Sequence, residues 1–258
     1  MTDIDGQGDV AMDPDIIYPL DSFVIAHHNF DNQIAKWYET SLANSWSAQT
    51  SDSVKRTGAK SVRFELRRQD AAFEFRSQLG RAPNQNKEGW FGFSLYFPAA
   101  FTRDSLEESI VEWQELPDFS EGEKWRSAPL FLGVMNDRFV LEVRTDSNRV
   151  TQQYNDNFTR VDLGPVQKDR WLDWVFHIKW AFDNTGIVEV WNQNKLVFSR
   201  IGKGNRYNDA TYPYFKIGIN KWDWKKSGNG MVNSRVVFAD EVTVGNAKAS
   251  YKDVYPGR

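Results

Sequence analysis

The 258-residue chain has no cysteine, which excludes disulfides and thiolate chemistry. It does not fix the compartment, because exported bacterial proteins often lack cysteine too. No apolar run reaches the roughly 18 residues that a membrane helix needs. Positive charge is not in excess: the formal net charge is −3 and the pI near 5.7. No overall field therefore recruits nucleic acid. Histidine is scarce, at three residues. No zinc spacing, phosphate loop or Ser-His-Asp arrangement stands out. The opening MTDIDGQGDVAMDPD lacks the apolar centre of a signal peptide. The expected location is extracellular or periplasmic with a leader already removed; a cytoplasmic one stays open.

Aromatic residues, in contrast, are plentiful: 15% of the chain, with 11 tryptophans. They suit a large β-core, and some suit platforms for sugar rings. Residues 1–18 read as a flexible tail and 19–258 as a single β-domain. Lys60–Gln69 alternates Val62, Phe64 and Leu66 against Ser61, Arg63, Glu65 and Arg67, the pattern of a half-buried strand. Strands are also expected at Ser22–Asn32, Trp90–Phe97, Pro129–Met135, Arg138–Arg144, Val150–Tyr154, Trp171–Phe182, Gly186–Trp191, Leu196–Ile201, Thr211–Asn220 and Ser234–Thr243. Trp37–Thr50 is either a short helix or an irregular crossover, and Thr102–Ser109 one or two helical turns. Many strands with short turns predict an all-β sandwich or jelly roll.

Two stretches carry the candidate chemistry. In DAAFEFRSQLG, strand alternation would put Glu74, Arg76 and Gln78 on one face, with this stretch as hairpin partner or neighbour of 60–69. In IVEWQ, Glu112 and Gln114 would share a face, with Trp113 turned to the core. Glu115 has the opposite parity and reads as a rim residue. Tyr214, Lys216, Gly218 and Asn220 share a face in TYPYFKIGIN, and Trp222 and Trp224 follow in KWDWKK. His177 reads as a satisfied sheet histidine. Asp240 and Glu241 with Asp31 could bind a structural Ca²⁺; no cofactor is otherwise required.

Several phrases together, GAKSVRFEL, RSQL, GWFGFSLYFP, IVEWQELPD, WLDWVFHIKWAFDNTGIVEVW, YPYFKIGIN and VVFADEVTVG, resemble the concanavalin A-like jelly-roll polysaccharide lyases, the heparin lyase I and glucuronan lyase group. The resemblance spans roughly residues 23–245 and implies a concave sheet with a substrate groove. The usual phrases there are RSEL, QWH and YFKxGIY. Here they become Arg76-Ser77-Gln78-Leu79, Glu112-Trp113-Gln114 and a segment ending in Asn220. The histidine and tyrosine that transfer protons in such lyases are thus absent at the matched positions; Tyr214, Lys216, His27 or His28 could replace them if the fold allows.

Glu74 and Glu112 instead look similar to the two-glutamate pattern of glycoside hydrolase family 131. The leading expectation is an endo-acting glycoside hydrolase of β-glucan type, with Glu74 and Glu112 catalytic. Arg76, Gln78, Gln114, Tyr214, Lys216, Asn220 and Trp222 would bind substrate. The alternative is a lyase eliminating across a uronate, with Arg76, Lys216, Lys221 and Lys225 converging. A non-catalytic carbohydrate-binding module is the second alternative. The expected partner is a polysaccharide or oligosaccharide, met by a monomer, without nucleic acid or membrane.

Overall fold

A computed structural model describes residues 23–32, 34, 37–82, 86–152, 157–225 and 232–257. The residues read as a tail, 1–18, lie outside these. Fifteen strands form among the described residues: β1 Val24–His28, β2 Glu39–Leu42, β3 Ala48–Ser51, β4 Ser61–Arg67, β5 Arg76–Gly80, β6 Glu88–Tyr96, β7 Glu108–Gln114, β8 Leu130–Met135, β9 Arg138–Thr145, β10 Asn157–Pro165, β11 Trp171–Lys179, β12 Ile187–Asn192, β13 Lys195–Ile201, β14 Tyr214–Asn220 and β15 Ser234–Gly245. They build two antiparallel sheets. One runs β13-β12-β11-β6-β15-β4-β3, with β1 added on β15; the other runs β10-β9-β8-β7-β14-β5-β2. This is the jelly-roll sandwich that the strand pattern predicts.

The core lies between the sheets and is filled by alternate residues of each strand. Val62, Phe64 and Leu66 of β4 are fully buried, as are Ile217 and Ile219 of β14. Trp113 packs among Phe176 at 4.7 Å, Phe91 at 5.3 Å and Phe215 at 5.6 Å between ring centres. Burying each large side chain contributes about 1.5–3 kcal/mol, so this aromatic cluster is a principal brace between the sheets.

Where prediction and structure differ, local chemistry explains it. The segment before Arg76 does not extend β5. Phe73, Glu74 and Phe75 have φ of 49°, 57° and 61°, and form a tight turn instead. The chain crosses there between sheets, so β5 is not the partner of β4; it pairs with β14 and β2. Residues 37–50 hold two short strands, β2 and β3, in different sheets, rather than a helix. Residues 102–107 form no helix, and β7 begins at Glu108. The strand expected at Val150–Tyr154 is displaced to Asn157–Pro165, and residues 153–156 lie outside the described set.

One irregularity positions the site. The pairing of β7 with β8 shifts between Ser109 and Val111. Ile110 and Val111 both enter the core as a result. This bulge turns Glu108 toward Arg235 of β15, in the other sheet, while Glu112 faces outward.

Candidate functional site

The outward face of the seven-stranded sheet carries a groove of about 480 Å³. Its floor follows directly from strand register. Lys216 of β14 stands opposite Gly80 of β5 and Glu112 of β7; Glu112 in turn stands opposite Phe131 of β8. The row continues through Glu142 of β9 to Arg160 of β10. Glu74, Arg76, Glu112, Gln114, Asn220 and Trp222, all singled out in the sequence, line this one groove.

Glu112 is buried and held from three sides. Gln78 Nε2 donates to one carboxylate oxygen at 3.1 Å, and Asn220 Nδ2 donates to the other at 2.7 Å. The Ser109 hydroxyl, brought to this face by the bulge, also donates to it. A buried acceptor without such donors would cost about 1–3 kcal/mol, so Gln78 and Asn220 first serve to place Glu112. Their own amide oxygens, and Arg76 Nε, have no protein partner among the described residues. These three atoms are themselves buried; Arg76 and Asn220 line the groove, whereas Gln78 is fully buried and is not part of its lining.

Glu74 lies off the strand ladder, yet its side chain still reaches the groove. Its carboxylate meets Lys225 at 2.6 Å and Arg76 at 3.5 Å, and its side chain is 57% exposed. The hydrogen bond from Lys225 holds the carboxyl below its ordinary value. Glu74 is therefore a poor proton donor at neutral pH, which in a two-glutamate hydrolase would leave it the base or nucleophile and not the acid.

Tyr214 and Lys216 extend the same face, and both are buried. Their partner is Glu39 of β2, a residue in the stretch whose strand character the sequence concealed. The Tyr214 hydroxyl donates to Glu39 Oε2 at 3.1 Å, and Lys216 Nζ to Oε1 at 2.7 Å. Burial works to raise the Glu39 carboxyl, but the Lys216 ammonium and three hydrogen bonds outweigh it and hold the carboxyl low. Burial and the Glu39 charge push the Tyr214 hydroxyl strongly upward, so it keeps its proton. Glu112 and Arg76 also act on that hydroxyl electrostatically.

The opposite end of the groove was not foreseen. Trp125 and Phe158 are 54% and 58% exposed there, with the Arg144 guanidinium 4.8 Å from the Phe158 ring centre. Arg144 pairs with Glu142, and Arg160 with Glu107 and Glu142. The alternation Glu142, Arg144 in β9 was a readable signal; the register that aims it at Glu112 was not. Trp222 joins this groove beside Phe131, at 5.9 Å between rings.

Other candidates lie elsewhere. His27 and His28 sit on β1 of the other sheet; His27 bonds Thr243, and His28 stacks on Trp37. Lys221 is fully buried against Asp104 and Glu108 and does not reach the groove. Glu115 is no rim residue: it is buried against Arg206 and the Tyr207 N–H, and burial pushes its carboxyl well up. Trp224 packs into the core. His177 is satisfied by Glu88 and Glu189, as the sequence suggested. Asp31 accepts the Ala59 and Lys60 N–H groups, and Asp240 those of Arg56, Thr57 and Glu241. They staple one loop from two sides. Among the described residues no group of three or more His, Asp or Glu is placed to hold a metal ion. None of the helices formed by those residues is long and apolar enough to cross a membrane.

Comparison with known proteins agrees with this architecture. An endo-β-1,4-glucuronan lyase from the fungus Trichoderma reesei superposes with a TM-score of 0.78 at 19% identity, covering 91% of this chain and 99% of its own. A marine PL-14 alginate lyase from Aplysia kurodai gives 0.56 at 10% identity, covering 78% and 87%. The cellulose-induced protein Cip1 gives 0.55 at 12% identity, covering 85% and 96%. At such identities the likeness is one of fold. No curated protein matches the chain. These findings favour the lyase alternative over the hydrolase, and the family model named polysaccharide lyase matches residues 30–243. With more than half of its length so matched, the chain belongs to the polysaccharide lyase family.

Proposed function

We propose that this protein cleaves a uronate-containing polysaccharide by β-elimination in the groove, acting within the polymer and outside the cell. One observation carries the reading: Arg76, Glu112 and Tyr214, a donor for a carboxylate, a base and a proton donor, lie on neighbouring strands of one face. Arg76, whose guanidinium lines the groove and is only loosely paired with the exposed Glu74, draws charge from the uronate carboxylate and makes the adjacent C–H more acidic. The Glu112 carboxylate takes that proton. The electron pair forms the new carbon–carbon double bond, the bond to the glycosidic oxygen breaks, and Tyr214 protonates the departing oxygen. Glu39 accepts the Tyr214 hydroxyl hydrogen in the resting protein and so orients the ring. The hydroxyl turns from Glu39 to the departing oxygen as that bond breaks. Solvent later restores the Tyr214 proton and takes the one on Glu112.

The test follows the unsaturated uronate by its ultraviolet absorbance and new reducing ends in parallel. Wild type should produce both. Glu112→Gln and Tyr214→Phe should each lower the rate by about 10²-fold or more. Reducing ends without the chromophore would overturn elimination in favour of hydrolysis. Polymer binding with no product would point to the binding-module reading, which Gln114 and Asn220, in place of His and Tyr, favour.

A further inference from the structure

Among the described residues lining the groove are five cations, Arg76, Arg126, Arg144, Arg160 and Lys225, and four carboxylates, Glu74, Glu107, Glu112 and Glu142. Every one of the cations already has a carboxylate. Arg76 and Lys225 share Glu74. Arg144 holds Glu142, and Arg160 holds Glu107 at 2.5 Å and Glu142 at 3.3 Å. Arg126 is taken by Glu123 and Asp209. A polymer with a carboxylate on every sugar would meet four fixed negative charges here. Each anion it brought in would have to open a protein ion pair.

Those pairs are not equally easy to open. The Glu74 pairs are the most exposed, at 57% for Glu74, 39% for Lys225 and 32% for Arg76. Glu142 is only 4% exposed and Glu107 11%. Exposed pairs are weakly held, whereas stripping a partner from a buried charge is costly. One incoming carboxylate can thus replace Glu74 at the β5 end, and the β8–β10 end resists a second. That second end offers instead the open rings of Trp125 and Phe158, suited to the C–H faces of a sugar, with carboxylates beside them to accept hydroxyl hydrogens.

We infer that the groove selects a heteropolysaccharide in which uronates are spaced by neutral sugars, the uronate binding at Arg76 and Lys225 and the neutral residue at Trp125 and Phe158. This substrate class rests on the elimination reading for its chemistry, but on charge pairing and exposed rings for its pattern.

The test measures binding by calorimetry, and unsaturated product separately. The probes are a homopolymer of glucuronate, the same polymer with its carboxyls reduced, and a polymer alternating glucuronate with a neutral hexose. The alternating polymer should bind at least about fivefold more tightly than either of the others. Trp125→Ala should remove about fivefold from the alternating polymer and change the homopolymer little. Glu107→Gln combined with Glu142→Gln should improve the homopolymer, with a circular dichroism spectrum checking the fold. Tightest binding of the homopolymer, or equal losses for both polymers in Trp125→Ala, would overturn the inference while leaving elimination intact. The expected binding order without unsaturated product from any probe would overturn elimination and leave the inference standing.

Discussion

Two parts of the seven-stranded sheet's outward face handle charge in opposite ways. Across β2 and β14, beside the groove, one carboxylate, Glu39, gathers a tyrosine hydroxyl and a lysine. At the β8–β10 end, arginines and glutamates are paired with each other beneath exposed rings. The first part fixes a tyrosine hydroxyl and a lysine on one carboxylate; the second neutralises itself and offers surface. On the proposed elimination reading, reactivity and recognition are thereby separated along a single sheet face.

The largest expected break in this comparison is at Glu39. Glu39→Gln should leave Tyr214 without its anionic partner and lower the elimination rate by about 10²-fold, judged from the usual size of general acid–base effects. Polymer affinity should fall far less, so kcat rather than KM carries the loss. A purely structural role for Glu39 would instead move both together with the melting temperature.

Gly218 comes next. Its φ is +129°, and a Cβ there would stand 2.1 Å from the Ser77 carbonyl oxygen. Gly218→Ala should separate β14 from β5 and cost about 2–3 kcal/mol, measured by denaturant unfolding. Gln78→Leu should cost about 1–3 kcal/mol, because Glu112 loses a donor in a buried place. An unchanged midpoint in that variant would show that the network around Glu112 does not contribute to stability.

The smallest effect sharpens the comparison through pH. Burial pushes Asp209, behind Arg126, up from 3.8 to about 7. A carboxyl raised on folding favours the protonated native state. Its contribution is complete below pH 3.8 and is lost as pH rises through about 7. Asp209→Asn should remove that component, so the stability difference between variant and wild type should vary across this window. Parallel curves would refute the assignment. Glu39 works in the other sense: its depressed carboxyl contributes above its ordinary 4.5 and loses that contribution as pH falls through its lower folded value.

Much of this molecule was legible in the sequence where period two was uninterrupted. β4, β6, β11 and β14 announced themselves through alternating or continuous apolar residues, and the outward placement of Tyr214, Lys216 and Asn220 followed from parity alone. Parity failed where the backbone left the strand region. Three consecutive positive φ values at residues 73–75 took Glu74 off the ladder, and no sequence pattern marks them. Glu39 escaped notice because four residues, ETSL, are too short to display a period. Glu142, Arg144, Phe158 and Arg160 were invisible as a group, because cross-strand register joins residues distant in the chain.

The bulge in β7 has a consequence for how such a protein can change over generations. Glu108 and Glu112 are four positions apart and would share a face in a regular strand; the extra residue sends one to the ion cluster with Lys221 and Arg235, and the other to the groove. Point substitutions at either glutamate leave that division intact. Loss of one codon near Ile110 would not. It would restore the simple alternation, drive a carboxylate into the aromatic interior or turn an apolar side chain outward, and disturb both ends of the strand in one step. Lineages carrying this site should therefore keep the spacing between Glu108 and Glu112 as strictly as they keep the two glutamates themselves.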